Sequence, residues 1–218
     1  MKHLLVPILV AGSWLAHAQA SHPVSGEIKG GTPPITVCIL IDNSGSMRDK
    51  RAGVMAASLA LVRASKPHDE VGVVDFNDEA INGLPLGENF TSDIQDMEEA
   101  LTHIESRGGS AMRDAILMSI DQVEQTAHHD RKVIVLVTDG NDTSSTVTQD
   151  QLLAKVKNRG VRVYSIGLLN GEYPGQAGAA RLALEQLAEA SGGLAYYPKD
   201  LAEVGSITQE IATEARKQ

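Results

Sequence analysis

Asp42, Ser44 and Ser46 stand in ILIDNSGSMRDK, Ile39 to Lys50, as one carboxylate followed at two-residue spacing by two hydroxyls, directly after an apolar run that includes Cys38. If this stretch stays roughly extended, its two-residue period turns all three side chains the same way, and Gly45 lets the backbone bend between them. Two other places carry matching chemistry. Asp139 ends the apolar run of KVIVLVTDG with Gly140 to turn the chain, and Ser110 follows Gly108 and Gly109 in RGGSAMRDAI, just before a helical pattern. The combined set is two carboxylates and three hydroxyls, with no His or Cys placed to join them. Oxygen-only donors suit hard cations, Mg²⁺ foremost, with Mn²⁺ or Ca²⁺ as alternatives. Because hydroxyls are neutral, such a set leaves a bound ion with positive charge to spare, enough to attract a carboxylate from outside.

Positioning these residues falls to a regular alternation along the chain. Short β-rich runs (ITVCILID, EVGVVDF, KVIVLVTD, VRVYSIGL, GLAYYP) are followed by helical patterns over 52–64, 93–105, 112–126, 149–157, 179–190 and 201–215. The pattern predicts an α/β fold with a mostly parallel sheet and helices on both faces. AINGLPL, Ala80 to Leu86, follows the second run too closely for a helical crossover and is expected to form a short antiparallel edge strand. Gly171 to Gly178, with Tyr173 and Pro174, is expected to be a loop. In open α/β sheets ligands bind at the carboxyl ends of the strands, where Asp42 and Asp139 fall.

The 218 residues divide on this reading into a leader (1–20), a flexible segment rich in Gly, Pro and Ser (21–34) and one domain (35–218). Residues 1–20 have the form of a secretory signal: Lys2, an apolar stretch from Leu4 to about Leu15 interrupted by Pro7, and Ala18-x-Ala20 as a cleavage pattern. That stretch is shorter than the ~20 residues a membrane span needs, and no later stretch could span a membrane. The expected location is therefore periplasmic or secreted. Losing Lys2 with the leader takes the formal charge from −9 to −10, since −9 − 1 = −10. An acidic chain with few aromatics offers neither basic patches nor stacking platforms, which excludes nucleic acid as the expected partner. Cys38 is the single cysteine, so no internal disulfide can form, and it is expected to be a small buried hydrophobe. Asn89 and Asn141 begin N-x-Thr patterns.

The DNSGS motif resembles the Asp-x-Ser-x-Ser signature of the von Willebrand factor type A domain, and Asp139 in VTDG is similar to that family's aspartate loop. Together they look like a metal-ion-dependent adhesion site. The resemblance runs from about Ile35 to Ala215, includes FNDEAINGLPL and GLAYYPKDLAEV, and is nearest to exported bacterial members. It implies a Rossmann-like, doubly wound sheet. It also implies that the serine pair ligates the ion directly, that the aspartates act directly or through water, and that an exposed Asp or Glu of an as yet unknown protein partner completes the coordination. The family usually has Thr where this chain has Ser110. Serine keeps the hydroxyl and loses the methyl that stiffens the rotamer.

Other functions are less well supplied. A nucleophilic Ser44 or Ser46 would need a base, but His128 and His129 in TAHHDRK, and His68, precede strands and so belong to the opposite edge of the sheet. Neither a G-x-S-x-G elbow nor an S-x-x-K pair surrounds the serines. An aspartyl phosphotransferase would want a second carboxylate where Ser44 stands. The alternative to a metal-dependent binding module is a structural or assembly scaffold whose metal only stabilises the loops. Asp114, one helical turn after Ser110, is expected either to orient a ligand or to serve as helix surface paired with Arg113.

Overall fold

A computed structural model of the chain describes residues 32–102 and 106–217. The leader at 1–20 and most of the segment at 21–34 lie outside the described residues. Strands β1 (Thr36–Asp42), β2 (Glu70–Phe76), β4 (Lys132–Thr138) and β5 (Val161–Gly167) form the parallel body of a six-stranded sheet. Their side chains are buried on both faces, which is why they read as near-continuous Val, Ile and Leu rather than as an alternation. The short strands β3 (Ala80–Asn82), antiparallel to β2, and β6 (Ala195–Tyr196), parallel to β5, close the two edges.

The sheet order is β3-β2-β1-β4-β5-β6. From β1 the chain winds outward through β2 and β3, then returns to the other side of β1 and winds outward through β4, β5 and β6. The direction of winding therefore reverses between β1 and β4, and there the loops leaving the two strands part to opposite faces and leave a crevice. Registration of Ile41 with Val137 sets Asp42 alongside Thr138 at this crevice.

Helices α1 (Arg51–Ala64), α2 (Ile94–Ala100) and α6 (Leu201–Ala215) bury Val54, Leu61, Met97 and Ile211 against one face of the sheet. On the other face α3 (Met112–Thr126), α4 (Gln149–Val156) and α5 (Pro174–Ser191) bury Ile116, Ile120, Leu152 and Leu187. Cys38 lies in this second core, fully buried, and burial pushes its thiol up to about 12, so it behaves as the hydrophobe expected of it. Among the described residues no helix is long and apolar enough to cross a membrane.

Three expectations need correction. The segment after Asp42 is extended only as far as Ser44, and Gly45–Lys50 forms a 3₁₀ helix. The expected loop at 171–178 is cut short, because α5 begins at Pro174. Proline presets the helical φ and lacks only an N–H that the first turn leaves unbonded, while Gly175 and Gly178 hide the helix from a propensity reading. The edge strand covers Ala80–Asn82 alone. From Gly83 the chain turns away, and Asn82 Oδ1 accepts the Leu84 N–H at 3.2 Å.

Candidate metal centre

Asp42 is the last residue of β1 and almost fully buried. Its Oδ1 accepts the Ser44 N–H at 3.0 Å, an Asx-type bond that starts the turn, and its Oδ2 accepts the Thr138 hydroxyl at 2.5 Å. Ser44 Oγ and Ser46 Oγ lie 3.2 Å apart. The two serines thus meet as expected, but the 3₁₀ turn brings Ser46 back toward Ser44 where an extended period was expected to do so. Ser44 is buried and Ser46 exposed, so the pair runs from the crevice floor to solvent. Met47, fully buried, pins the turn to the core beneath it.

Asp139, directly after β4, is completely buried; its Oδ1 accepts the Asn141 N–H at 3.0 Å. Gly140 makes the bend with φ of +78°, and a Cβ there would come within 2.7 Å of the Ala180 side chain, so both conformation and space call for glycine. Lys50 at the end of the 3₁₀ turn reaches across to Asp139 Oδ2 at 3.5 Å while its ammonium also pairs with Glu172.

Ser110 sits two residues before α3, and its loop is tied into the rim from both sides. The Gly45 N–H donates to Gly108 O at 3.0 Å, and the Arg107 N–H to Asn43 O at 2.9 Å. From the β4 side, the Thr143 and Ser144 N–H groups both donate to Ser110 O at 2.9 Å, while Ser110 N–H donates to Thr143 Oγ1 at 3.0 Å. The backbone of Ser110 is therefore fully engaged. Its hydroxyl is buried and, among the described residues, has no hydrogen-bond partner.

Burial is the largest influence on Asp42 and, helped by the nearby Asp139 charge, pushes its carboxyl up to about 6 against hydrogen bonds from Ser44 and Thr138. Two carboxylates in one desolvated crevice repel, and a positive charge between them would relieve both. Among the described residues no three of His, Cys, Asp and Glu converge. The chemistry of the rim is that of hard oxygen ligation, not of zinc-type N/S sites.

Sequence reasoning missed Thr138 and Lys50. Thr138 Oγ1 also accepts the Gly140 N–H at 2.9 Å, so one hydroxyl braces both the Asp42 carboxylate and the turn carrying Asp139. A Thr immediately before a strand-end Asp was the available signal. Asp114 turns out to be a clasp for the neighbouring loop. Its carboxylate accepts the Thr146 N–H at 2.7 Å, the Thr146 hydroxyl at 2.9 Å and the Val147 N–H at 3.2 Å. Burial alone would raise Asp114, but those bonds overcome it and hold the carboxyl below its ordinary range. Arg113 adds to that field, yet its guanidinium pairs with Asp142 at 3.1 Å. His128 Nδ1 lies 2.9 Å from Glu70 Oε2, at the first residue of β2 and thus at the opposite end of the sheet from the serines.

The chain resembles known proteins along nearly all of its folded length. It is 26% identical over 158 residues to inter-alpha-trypsin inhibitor heavy chain H4 of Bos taurus, covering 62% of this chain and 17% of that protein. It is 27% identical over 179 residues to calcium-activated chloride channel regulator 1 of Mus musculus, covering 81% and 18%. The chain thus spans less than a fifth of the length of these relatives. Among solved structures, a von Willebrand factor type A protein from Catenulispora acidiphila superposes with a TM-score of 0.70 at 23% identity, over 84% of this chain and 43% of that one. The family profile described as von Willebrand factor type A domain matches residues 36–210, which span β1 to most of α6, and on that match the chain belongs to the von Willebrand factor type A domain family.

Proposed function

We propose that this domain is a metal-ion-dependent protein-binding module, with Asp42, Ser44, Ser46, Ser110 and Asp139 holding a divalent cation, Mg²⁺ foremost with Mn²⁺ or Ca²⁺ as alternatives. The family is one of protein-interaction and adhesion modules, and its members are not typically enzymes. The metal is the finer reading, and one observation carries it: the Ser110 hydroxyl, on a loop bonded to the turn after Asp42, is buried without a partner among the described residues, at a rim where Asp42 is desolvated and feels the Asp139 charge. An orphaned buried hydroxyl costs about 1–3 kcal/mol. A cation needing oxygen donors would use that hydroxyl and relieve the repulsion between Asp42 and Asp139. When bound, such an ion supplies a positive charge that an exposed Asp or Glu of a protein partner can coordinate.

The protein's own residues prepare that contact. Thr138 holds the Asp42 carboxylate in one orientation, the 3₁₀ turn presents Ser46 toward solvent, and the bonds from Gly45 and Thr143 fix the Ser110 loop. A chain of net charge −9, or −10 without the leader, repels an acidic partner at long range, but at physiological salt that repulsion fades beyond ~8 Å. Contact at an ion is hardly screened. Export to the periplasm or the exterior belongs to the same proposal, carried by the leader-like residues 1–20.

The test is calorimetric Mg²⁺ and Mn²⁺ binding to the chain and to Asp42→Ala, followed by capture of partners from an envelope extract with Mg²⁺ or with chelator. One site, lost in folded Asp42→Ala, and a partner released by chelator are expected. Unchanged metal binding in the variant would refute the ligand set. A partner retained in chelator but lost in high salt would refute the metal bridge.

A further inference from the structure

Beside the metal rim, a second cavity of about 300 Å³ opens between the ends of β1 and β2, the edge strand β3 and the C-terminal end of α2. Asp75 and Asn43 line it, together with Ile81, Ala100, Glu79 and Arg107. Asp75 Oδ1 and Asn43 Oδ1 are both buried, and among the described residues neither has a hydrogen-bond partner. Asn43 is only 7% exposed, and its backbone is fully used, its N–H donating to Phe76 O at 2.7 Å and its carbonyl accepting from Arg107. Two residues that line the cavity, one of them ionisable, therefore each carry a buried acceptor for which the described residues supply no donor.

We propose that this cavity is a subsite for the side-chain cation of a protein partner, a lysine or arginine whose charged head bonds Asp75 and Asn43 while its aliphatic stem lies along Ile81 and Ala100. Three features point to an organic cation. Both orphaned atoms only accept, so the missing group is a donor, and an ammonium or guanidinium brings several donors on one charge. The cavity's two carboxylates, Asp75 and Glu79, are too few for a metal cage, and among the described residues no three acidic, His or Cys side chains converge. Ile81 is 57% exposed at the mouth, an apolar wall that a long alkyl stem would cover.

Arg107, exposed at the same mouth, does not fill the role. Its side chain makes no bond to Asp75, and the upward push on the Asp75 carboxyl, to about 7, comes from burial with no offsetting positive charge. The net charge of −9 favours approach of a basic group. This subsite stands on its own residues and needs no metal. A partner segment carrying an acidic and a basic residue could engage the rim and the cavity together.

The experiment is a nuclear magnetic resonance titration of the full chain, with chelator present, using N-acetyl-arginine amide, N-acetyl-lysine amide and the uncharged N-acetyl-citrulline amide. The carboxyl carbon of Asp75 and the side-chain amide of Asn43 are observed. Both cationic probes are expected to give saturable shifts at these two groups, with the citrulline probe at least tenfold weaker. Asp75→Asn, nearly identical in shape, is expected to weaken the cationic probes about tenfold or more, and Asn43→Ala severalfold. The proposal is overturned by equal binding of the citrulline probe, by unchanged binding in Asp75→Asn, or by absence of saturable shifts from either cation. Binding seen only in Arg107→Ala would also overturn it, since Arg107 would then be the natural occupant. Because metal is withheld throughout, these outcomes are independent of the metal reading.

Discussion

The Thr138 hydroxyl donates to the Asp42 carboxylate at 2.5 Å across the junction between β1 and β4. This bond joins the two strand ends between which the sheet reverses its winding, and the same hydroxyl accepts the Gly140 N–H. Thr138→Val keeps the shape and removes both bonds, leaving a buried carboxylate oxygen and a buried N–H unsatisfied. A loss of about 2–3 kcal/mol in stability is expected by urea unfolding, together with weaker Mg²⁺ binding. Unchanged stability would mean that the two strand ends are held by the sheet alone.

Lys50 and a cation would share Asp139, because the Lys50 ammonium already lies 3.5 Å from Oδ2. Lys50→Met preserves the stem and removes the competing charge. Mg²⁺ affinity measured by calorimetry should rise several-fold, on the order of 1 kcal/mol at the dielectric of a partly exposed site. A fall in affinity would show that Lys50 and its partner Glu172 organise the site instead of opposing the ion.

The hydrophobic sheet, with Ile39, Val73, Val135 and Ile166 fully buried, holds the domain without help from metal. Chelated protein should keep its far-ultraviolet circular dichroism. Mg²⁺ at a hundredfold excess over its dissociation constant should add about 2.7 kcal/mol by linkage, and Ser110→Ala should diminish this gain less than Asp139→Ala. Collapse of the dichroism in chelator would contradict the expectation.

Asp75 sets a pH dependence of definite sign. Burial raises its carboxyl from the ordinary 3.8 to about 7, so the folded state favours the protonated form. Its stabilising contribution is complete below about pH 4 and is lost as pH rises through about 7. A shift of about 3 units corresponds to about 4 kcal/mol. Asp75→Asn, whose amide must itself find partners, should therefore be more stable than the parent at pH 8 by about 2 kcal/mol, with a much smaller difference at pH 5. Asp42, raised to about 6, titrates in both proteins, and the difference isolates Asp75. A pH-independent difference in urea midpoints would show that Asp75 is not desolvated. That a carboxylate costing stability persists at the mouth of a cavity is what a binding role would require.

The sequence by itself determined the elements and the chemistry. Continuous Val, Ile and Leu runs can be buried on both faces only in a covered parallel sheet, so β1, β2, β4 and β5 and the helices between them were legible. Asp42, Ser44, Ser46, Ser110 and Asp139 were legible as oxygen donors at strand ends because the donor is a property of the residue and the strand end of the local pattern. The bend after Asp139 needed Gly140, which the sequence displays. What only the tertiary structure decided is whatever depends on strand order and on packing between distant segments. Strand periodicity does not say that β4 lies beside β1, and without that adjacency Thr138 is one more buried β-branched residue, with no reason to brace Asp42 from 96 positions away. Local spacing suggested that Ser46 would meet Ser44 through an extended chain, whereas burial of Met47 winds that segment into a 3₁₀ turn. Asp75 carries no signal in the sequence, because a buried carboxylate oxygen without a partner arises from what β3, α2 and the β1 end enclose around it, and no property of its own neighbours in sequence encodes that enclosure.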